Sequence, residues 1–143
     1  MAKLTPIKSD NTNQIKAEYA SVGRRKRSVA RVRVYAGVGE NIINGKNDQL
    51  ACHTINHKNK LANPWILGGL NGKYYYSAKV VGGGVSSQID AVVHAVARCI
   101  AKMSDSLHST MAQNSLLTRD PREKERKKIY HVRARKMPQF SKR

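Results

Sequence analysis

Positive charge is distributed very unevenly along this chain of 143 residues, and the distribution limits where a core can form. Of the net charge of +18, residues 1–33 carry +7 and residues 119–143 carry +8, whereas residues 34–118 carry only +3. Because like charges repel one another in a compact state, the nearly neutral centre must supply most of the core. Cationic flanks around such a centre are typical of a small domain with polyanion-binding extensions.

A nucleic acid is the polyanion that this pattern favours, rather than a membrane. No apolar run approaches the roughly 20 residues that span a bilayer. A membrane surface would favour a basic helix with a broad apolar face, and neither basic end has one. The first ten residues contain Asp10, no Arg and no apolar core, so they match neither a secretory nor a mitochondrial targeting sequence. We therefore expect no membrane partner.

Residues that could support catalysis or bind a metal are present but scattered. Cys52 and Cys99 form no Cys-x-x-Cys motif, which fits unpaired thiols in a reducing compartment. His53 and His57 could share a helix face beside Cys52, but a metal site needs three or four ligands and no further ligand is clustered there. The acidic residues of the centre are also dispersed: Glu40, Asp48, Asp90 and Asp105. We therefore expect no enzyme, no metal and no cofactor.

Alternation of side-chain type predicts three strands. In residues 28–35, small or apolar residues alternate with a row that contains two arginines, which indicates a strand with one core face and one cationic face. Residues 40–44 predict a short second strand, and Asn44-Gly45 predicts a hairpin turn. Residues 73–81 show the clearest alternation in the chain and predict a third strand.

Apolar residues at helical spacing predict two helices in the second half of the core. Six residues form the clearer stripe: Ile89, Val92, Val93, Val96, Ile100 and Met103. A stripe of this kind is typical of a helix that packs one face on a core, and Ser86 or Ser87 can cap its N-terminus. A further helix is expected from about Asp105 to Asn114.

The segment between the second and third strands is patterned more weakly. Asp48 can cap a short helix that carries Leu50 and Ile55. Pro64 is expected to end it, because proline lacks the N–H group that a helix interior requires. Strands and helices together predict one α+β core over residues 19–118.

Both ends of the chain are expected to lie outside that core. Residues 1–18 are polar and aperiodic, which predicts a disordered N-terminal arm. Residues 119–143 form a basic C-terminal tail. Asp120, Pro121 and Glu123 have the order of an N-cap, a first helical residue and a returning carboxylate, so the tail is expected to begin with a short helix and to continue extended.

Three motifs have chemistry that suits phosphate groups or bases. Six basic residues are crowded into residues 24–33: Arg24, Arg25, Lys26, Arg27, Arg31 and Arg33. The run Gly82, Gly83 and Gly84 joins a strand to a helix, so it serves either turn geometry or an anion at the helix N-terminus. In the tail, cations alternate with flat or apolar groups, as suits folded RNA. The alternating residues are Arg133, Arg135, Lys136, Lys142 and Arg143 with Tyr130, His131, Met137 and Phe140.

These motifs resemble the small-subunit ribosomal protein nine family of the bacterial or organellar type. Three blocks carry the resemblance, in family order from about Tyr19 to Arg143. They are residues 23–32, then Gly82 to Gly84 with Gln88, His94 and Arg98 behind them, then residues 118–143 with the ending Pro138-Gln139-Phe140-Ser141-Lys142-Arg143. Asp90 and Tyr130 depart from the pattern, since each stands where the family usually has Gly.

The resemblance implies a small mixed sheet with helices on one face, like the second domain of small-subunit ribosomal protein five, plus a basic extended tail. It implies a structural role in the head of the small subunit, on ribosomes of the cytoplasm or of an organelle matrix or stroma. The implied partners are small-subunit rRNA, peptidyl-site tRNA and the neighbouring small-subunit proteins seven, ten and fourteen.

The resemblance also assigns site residues. The implied rRNA-binding residues are Arg24, Arg25, Lys26, Arg27, Arg31, Gly82, Gly83, Gly84, Arg119, Arg122, Arg126, Lys127, Lys128, Arg133, Arg135 and Lys136. The implied tRNA-binding residues are Gln139, Ser141, Lys142 and Arg143. Composition alone also fits a free-standing nucleic-acid-binding or ribosome-associated factor, such as an assembly chaperone. The terminal block and the order of the motifs favour the ribosomal protein.

Overall fold

The computed structural model describes residues 18–52 and 54–142, so most of the expected N-terminal arm, His53 and Arg143 lie outside the described residues. Within those ranges the chain forms five strands and four helices. They are β1 (Tyr19–Arg25), β2 (Ser28–Ala36), β3 (Ile42–Ile43), β4 (Lys46–Asn47), α1 (Asp48–Ala51), α2 (Ile55–Leu67), β5 (Tyr74–Val81), α3 (Val85–Ile100) and α4 (Asp105–Gln113). Across these described ranges, no helix is both long and apolar enough to cross a membrane.

The strands form one mixed sheet in the order β1-β2-β5-β3-β4. Strand β2 pairs antiparallel with β1 and with β5, β3 pairs antiparallel with β4, and β3 runs parallel to β5. Asn44 and Gly45, with φ of 50° and 78°, turn β3 into β4. Positive φ at both central residues is the requirement of a two-residue type I′ turn, so the predicted Asn44-Gly45 hairpin is confirmed.

The two faces of the sheet differ as the alternation predicted. Every second residue of β2 from Ala30 to Val34 faces the helices and is at most 1% exposed, whereas the two arginines between them are exposed on the other face. Strand β5 follows the same rule, with Tyr76, Ala78 and Val80 buried. The sheet therefore has one core face and one face that the helices leave open.

Helix α3 packs on β1, β2 and β5 and supplies much of the core, with Val92, Val96 and Ile100 at most 1% exposed. Burying a large apolar side chain of this kind stabilises a fold by about 1.5–3 kcal/mol. Helix α2 lies beside α3 on the same side of the sheet, where the Trp65 ring stacks on Tyr76 with 6.2 Å between centroids. The predicted fold class, an α+β sheet with helices on one face, is confirmed.

Two expectations about the helices are wrong. Helix α2 does not end at Pro64 but continues to Leu67. The Pro64 side chain is fully buried, so its packing offsets the hydrogen bond that a proline removes from the helix. The N-cap of α3 is Gly84 rather than a serine, and Ser87 acts from the third helical position, where its hydroxyl accepts a hydrogen bond from the Gly84 N–H.

The expected short helix at the start of the tail is also wrong, because residues 119–128 adopt no helical conformation. The cap itself forms, since the Asp120 carboxylate accepts a hydrogen bond from the Arg122 N–H at 2.9 Å. A helix this short is stable only where it packs an apolar face. The side chains of residues 121–128 are exposed, so nothing propagates the first turn.

Candidate nucleic-acid interface

The hairpin between β1 and β2 lies against the glycine turn, which we define as Gly82, Gly83 and Gly84. Gly82 and Gly83 have φ of 79° and 65°, which side chains other than glycine rarely adopt. A Cβ on Gly82 would lie 2.5 Å from the Arg27 carbonyl oxygen, and one on Gly83 would overlap the Ser28 hydroxyl. Turn geometry therefore accounts for both glycines, and it brings the basic hairpin to the N-terminus of α3.

Two buried hydroxyls hold this junction together. The Oγ atoms of Ser28 and Ser87 are 2.8 Å apart. Each also lies within hydrogen-bond distance of a carbonyl of the glycine turn, 3.0 Å from Gly82 for Ser28 and 2.8 Å from Gly84 for Ser87. A buried pair that is satisfied in this way fixes its surroundings. The backbone of Arg27 and Ser28 is thereby held against the turn that leads into α3, whose first N–H groups have no acceptor within the helix.

The predicted arginines of the hairpin have different surroundings. Arg24 and Arg27 are exposed, but the Arg25 side chain is only 18% exposed because it folds back onto the core. Its Nη1 lies 2.9 Å from Asp120 Oδ2, and its Nε lies 3.8 Å from Asp90 Oδ2. Arg25 therefore joins the hairpin to the root of the tail, which leaves it less available to a phosphate than its neighbours.

Asp120 is a residue that sequence reasoning placed in a helix cap and not in a junction. Its carboxylate accepts hydrogen bonds from the Arg122 side chain at 2.7–3.1 Å, in addition to the ion pair with Arg25. The hydrogen bonds from Arg122, with the charge of Arg25, hold the pKa of Asp120 far below its usual range. The carboxylate is therefore charged at any physiological pH and anchors the point where the tail leaves the core.

His94 links β1 to the segment that leads into the tail. Its Nδ1 accepts a hydrogen bond from the Arg24 N–H at 3.4 Å, so the proton is on Nε2, which lies 3.2 Å from the Leu117 carbonyl oxygen. This arrangement requires the neutral ring. Burial of the ring, followed by the charges of Arg98 and Arg119, lowers the pKa of His94.

The unpaired edge of β1 is covered by side chains from the end of α3 and the turn after it. Arg98 donates from Nη1 to the Val22 carbonyl, and Lys102 donates from Nζ to the Ala20 carbonyl at 2.9 Å. With His94, these residues are spaced four apart, so they share one side of the helix. Such cover protects an edge strand from pairing with other chains. The four-residue spacing of polar residues beside the apolar stripe was a usable sequence signal for this function.

In the tail, three arginines pair with acidic residues of the tail itself: Arg122 pairs with Asp120, and two further pairs are found. Arg119 lies 3.3 Å from Glu123, and Arg135 makes two hydrogen bonds to Glu125, ten positions earlier. The other described basic residues beyond Arg122 form no ion pair within the part of the chain that the structure describes. These exposed cations are Lys124, Arg126, Lys127, Lys128, Arg133, Lys136 and Lys142.

The last described residues are exposed. Gln139 donates from its side chain to the Ser141 carbonyl at 2.9 Å, and the Phe140 ring is fully accessible to solvent. Tyr130, at φ of 62°, has a left-handed conformation that a glycine would adopt without strain. The predicted tRNA-binding residues 139, 141 and 142 are thus displayed at the end of the tail, and Arg143 lies beyond the described residues.

The residues considered for metal binding do not come together in the described ranges. No group of three or more His, Cys, Asp or Glu side chains there could hold a metal ion. His57 Nε2 lies 3.3 Å from the Ser86 hydroxyl. Cys52 and Cys99 are buried thiols, and burial raises the pKa of Cys99 to about 11, so this thiol is protonated and unreactive at neutral pH.

Fold and surface together define a class of small, strongly basic protein in which an α+β core carries a long cationic tail. Within that class, residues 23–143 match the family described as Ribosomal protein S9/S16. The chain is 43% identical over 125 residues to the small ribosomal subunit protein uS9 of Dehalococcoides mccartyi, which covers 87% of this chain and 95% of that protein. It is 42% identical over 134 residues to the uS9 of Synechocystis sp., covering 93% of this chain and 98% of that protein.

The chain therefore belongs to the ribosomal protein S9/S16 family, and the predicted resemblance is confirmed. A ribosomal protein of this family is a structural component of the ribosome and not an enzyme. Family membership thus agrees with the scattered placement of the potential catalytic residues.

Proposed function

We propose that this chain is a structural constituent of the small ribosomal subunit, that it lies in the head and binds its rRNA, and that its C-terminal residues reach peptidyl-site tRNA. Family membership and two relatives named as small-subunit proteins support the first part. Its location is then the ribosome, in the cytoplasm of a bacterium as for the relatives. The neighbours that we propose in the head are small-subunit proteins seven, ten and fourteen.

The exposed cations of the tail are the observation that carries this proposal. Seven exposed basic side chains lie within residues 124–142, and none of them has a carboxylate of the described residues within ion-pair distance. Their mutual repulsion costs free energy in the isolated chain, and the phosphates of a polyanion neutralise it. Binding also releases the counterions condensed on the polyanion, which favours the complex further. Binding to RNA is therefore what stabilises a single conformation of such a tail.

In the core, we assign rRNA phosphates to the hairpin and the glycine turn. Arg24, Lys26 and Arg27 are exposed, and the Arg27 backbone packs on the glycine turn before α3, where the N–H groups of a helix N-terminus favour an anion. Arg24 lies further along α3, beside His94. Arg25 has a different role in this proposal, because it positions the tail through Asp120. The paired arginines Arg119, Arg122 and Arg135 reach RNA only after exchanging a carboxylate for a phosphate.

Reach supports the tRNA contact. Residues 123–142 follow the last contact with Arg25, and a fully extended chain of that length spans at most roughly 70 Å. The terminal residues can therefore act far from the core. Lys142 and the adjacent Arg143 would contact the phosphate backbone, which fixes position without reading sequence. Gln139 and Ser141 supply neutral hydrogen-bonding groups beside them.

Removal of residues 141–143 tests this division between core and tip. Small subunits assembled with the truncated chain should contain it at the same level as the full chain, whereas peptidyl-site tRNA should dissociate faster. Incorporation is measured by sedimentation after a high-salt wash, and tRNA release by filter binding. The matched control is Lys142→Arg with Arg143→Lys, which keeps both charges and should retain tRNA. Loss of the truncated chain from the subunit would show that the tip serves assembly instead.

A further inference from the structure

The open face of the sheet carries a row of cations on β2 and β5, apart from the turn that joins β1 to β2 and from the tail. On β2, Arg31 and Arg33 point away from the helices, and on β5 the same face presents Ser77 and Lys79. The register places Arg31 directly opposite Lys79, with Arg33 opposite Ser77. Arg31, Arg33 and Lys79 are exposed, and they form no ion pair within residues 18–52 and 54–142.

This arrangement is unfavourable for the isolated sheet. Like charges directly opposite one another on neighbouring antiparallel strands destabilise the pairing. The strands β1, β2 and β5 contain no acidic residue that could compensate the repulsion. A water-exposed face needs only polar residues, so solvation alone does not require three cations here. The charge arrangement fits an anionic partner that lies on the face.

An aromatic pair lies at the end of the cationic row, and it favours a partner that has flat rings as well as negative charge. Tyr35 and Tyr75 are opposite one another in the register, and their rings stack with 5.2 Å between centroids and an angle of 18°. Gly39 packs against the Tyr75 ring so closely that a Cβ there would lie 2.7 Å from it. Both rings are half-buried. Because Tyr35 stacks on the Tyr75 ring and Gly39 packs closely on that same ring, the ring left for a base is Tyr35, two residues from Arg33.

We propose that the open face, defined by Arg31, Arg33, Lys79, Tyr35 and Tyr75, is a separate binding surface for unpaired RNA. The three cations contact successive phosphates, and Tyr35, supported by Tyr75, stacks on an unpaired base. The proposal rests on the rRNA-binding function, and it adds a single-stranded or looped segment of that rRNA as the occupant. An acidic protein would match the cations but gives no role to the tyrosine pair.

Binding of a short fluorescein-labelled oligouridylate to the full-length protein tests the charges. Arg33→Ala with Lys79→Ala should flatten the dependence of log affinity on log salt by about 1.4, because each phosphate contact on a single strand contributes about 0.7. Lys46→Ala with Lys58→Ala removes the same charge from exposed positions off this face, because Lys46 lies opposite the buried Ile43 and Lys58 is on α2. This control should change the slope much less. Equal slopes for the two double variants would overturn the proposal.

Tyr35→Leu tests the stacking. It should weaken binding of the oligouridylate about fivefold, while binding of a duplex RNA should stay unchanged because its bases are not free to stack. Loss of affinity for both RNAs in equal measure, or for neither, would contradict a role of the ring in recognition. Thermal unfolding keeps folding apart from binding: Arg33→Ala with Lys79→Ala should be at least as stable as the unchanged chain, since it removes like-charge repulsion.

Assembled small subunits separate this inference from the proposed function. With Arg33→Ala and Lys79→Ala, the protein should still enter the subunit, and chemical probing should show one local set of rRNA nucleotides newly exposed. Unchanged protection with normal entry would reject the open face alone, whereas failure of the unchanged chain to enter would reject the proposed function. A carbodiimide that joins Lys79 to a carboxylate of another protein would identify a protein occupant and also overturn the inference.

Discussion

The core and the tail use their polar groups in opposite ways. At the junction under α3, the hydroxyls of Ser28 and Ser87 and the carbonyls of Gly82 and Gly84 form a network of contacts of 2.8–3.0 Å, and a Cβ on Gly82 or Gly83 would overlap its neighbours. In the tail, cations such as Lys127 and Lys136 are exposed and form no ion pair among the described residues. The core is therefore ordered by its own contacts, whereas the unpaired basic side chains of the tail need partners from another molecule.

The comparison teaches where sequence changes should act. A change in the core should alter the free energy of unfolding and leave the intrinsic RNA contacts of the tail as they are. A change in the tail should alter affinity and its salt dependence and leave the unfolding transition in place. His94 and Asp120, which connect the two regions, should affect both by smaller amounts.

The largest effect is expected from Gly23→Val in the core. A Cβ on Gly23 would lie 2.6 Å from the Ala95 nitrogen and still closer to the Ala91 carbonyl oxygen, both backbone atoms of α3 that cannot give way locally. The unfolding free energy should fall by about 3 kcal/mol, at the upper end of overpacking costs. Urea unfolding measures it. Gly84→Ala is the matched control, because a Cβ there meets nothing within 4 Å, and similar losses for the two variants would refute the steric account.

A smaller effect is expected when the tail loses charge. The triple variant Lys127→Ala, Lys128→Ala, Lys136→Ala should bind small-subunit rRNA with a log–log salt slope lower by roughly 2–3, because each phosphate contact contributes about 0.7–0.9. Its urea unfolding transition should be unchanged. The control changes Lys46, Lys58 and Lys73 of the core to Ala, and a control slope that falls as far would show that net charge alone, and not the tail, sets the affinity.

The core faces of the strands were predictable because burial imposes its own period. The alternation over residues 28–35 matches β2, and the stripe of Ile89, Val92 and Val96 matches α3. In both elements the apolar side chains lie on one face, and burial of that face away from water fixes its orientation. Strand β1 was not separable from the basic motif by composition, because Gly23 and the arginines give no apolar alternation. Its presence depends on pairing with β2 and on the close approach of α3.

The site was predictable in composition but not in its pairing. The basic hairpin, the glycine turn and the charged tail were all identified from residue type and order. That Arg25 turns inward to Asp120 and Asp90 depends on three segments distant in the chain, so no local pattern indicates it. The short helix expected after Asp120 shows the same limit, since a correct cap does not form a helix without an apolar face to bury.

The smallest effect is expected at His94, and it depends on pH. The pKa of His94 is lowered by burial, so between its ordinary value near 6.5 and its folded value the unfolded chain binds more protons than the folded one. The unfolding free energy should therefore be unaffected above pH 7 and should fall as pH drops below 6.5, by at most about 1.4 kcal/mol per pH unit from this residue. Protonation at Nδ1 removes the hydrogen bond from the Arg24 N–H, and the link from the edge of β1 to Leu117 opens with it.

The measurement for His94 is a series of urea unfolding transitions from pH 7.5 to 5 for the unchanged chain and for His94→Gln. The amide can accept from Arg24 and donate to Leu117 but does not titrate, so the difference between the two chains isolates His94 from the other histidines. The unchanged chain should lose more stability on acidification than His94→Gln. Parallel pH profiles would mean that the ring is protonated as readily in the folded chain as in the unfolded one. The neutral His94 bridge could then not be what holds Leu117, just before the tail, to the edge of the sheet.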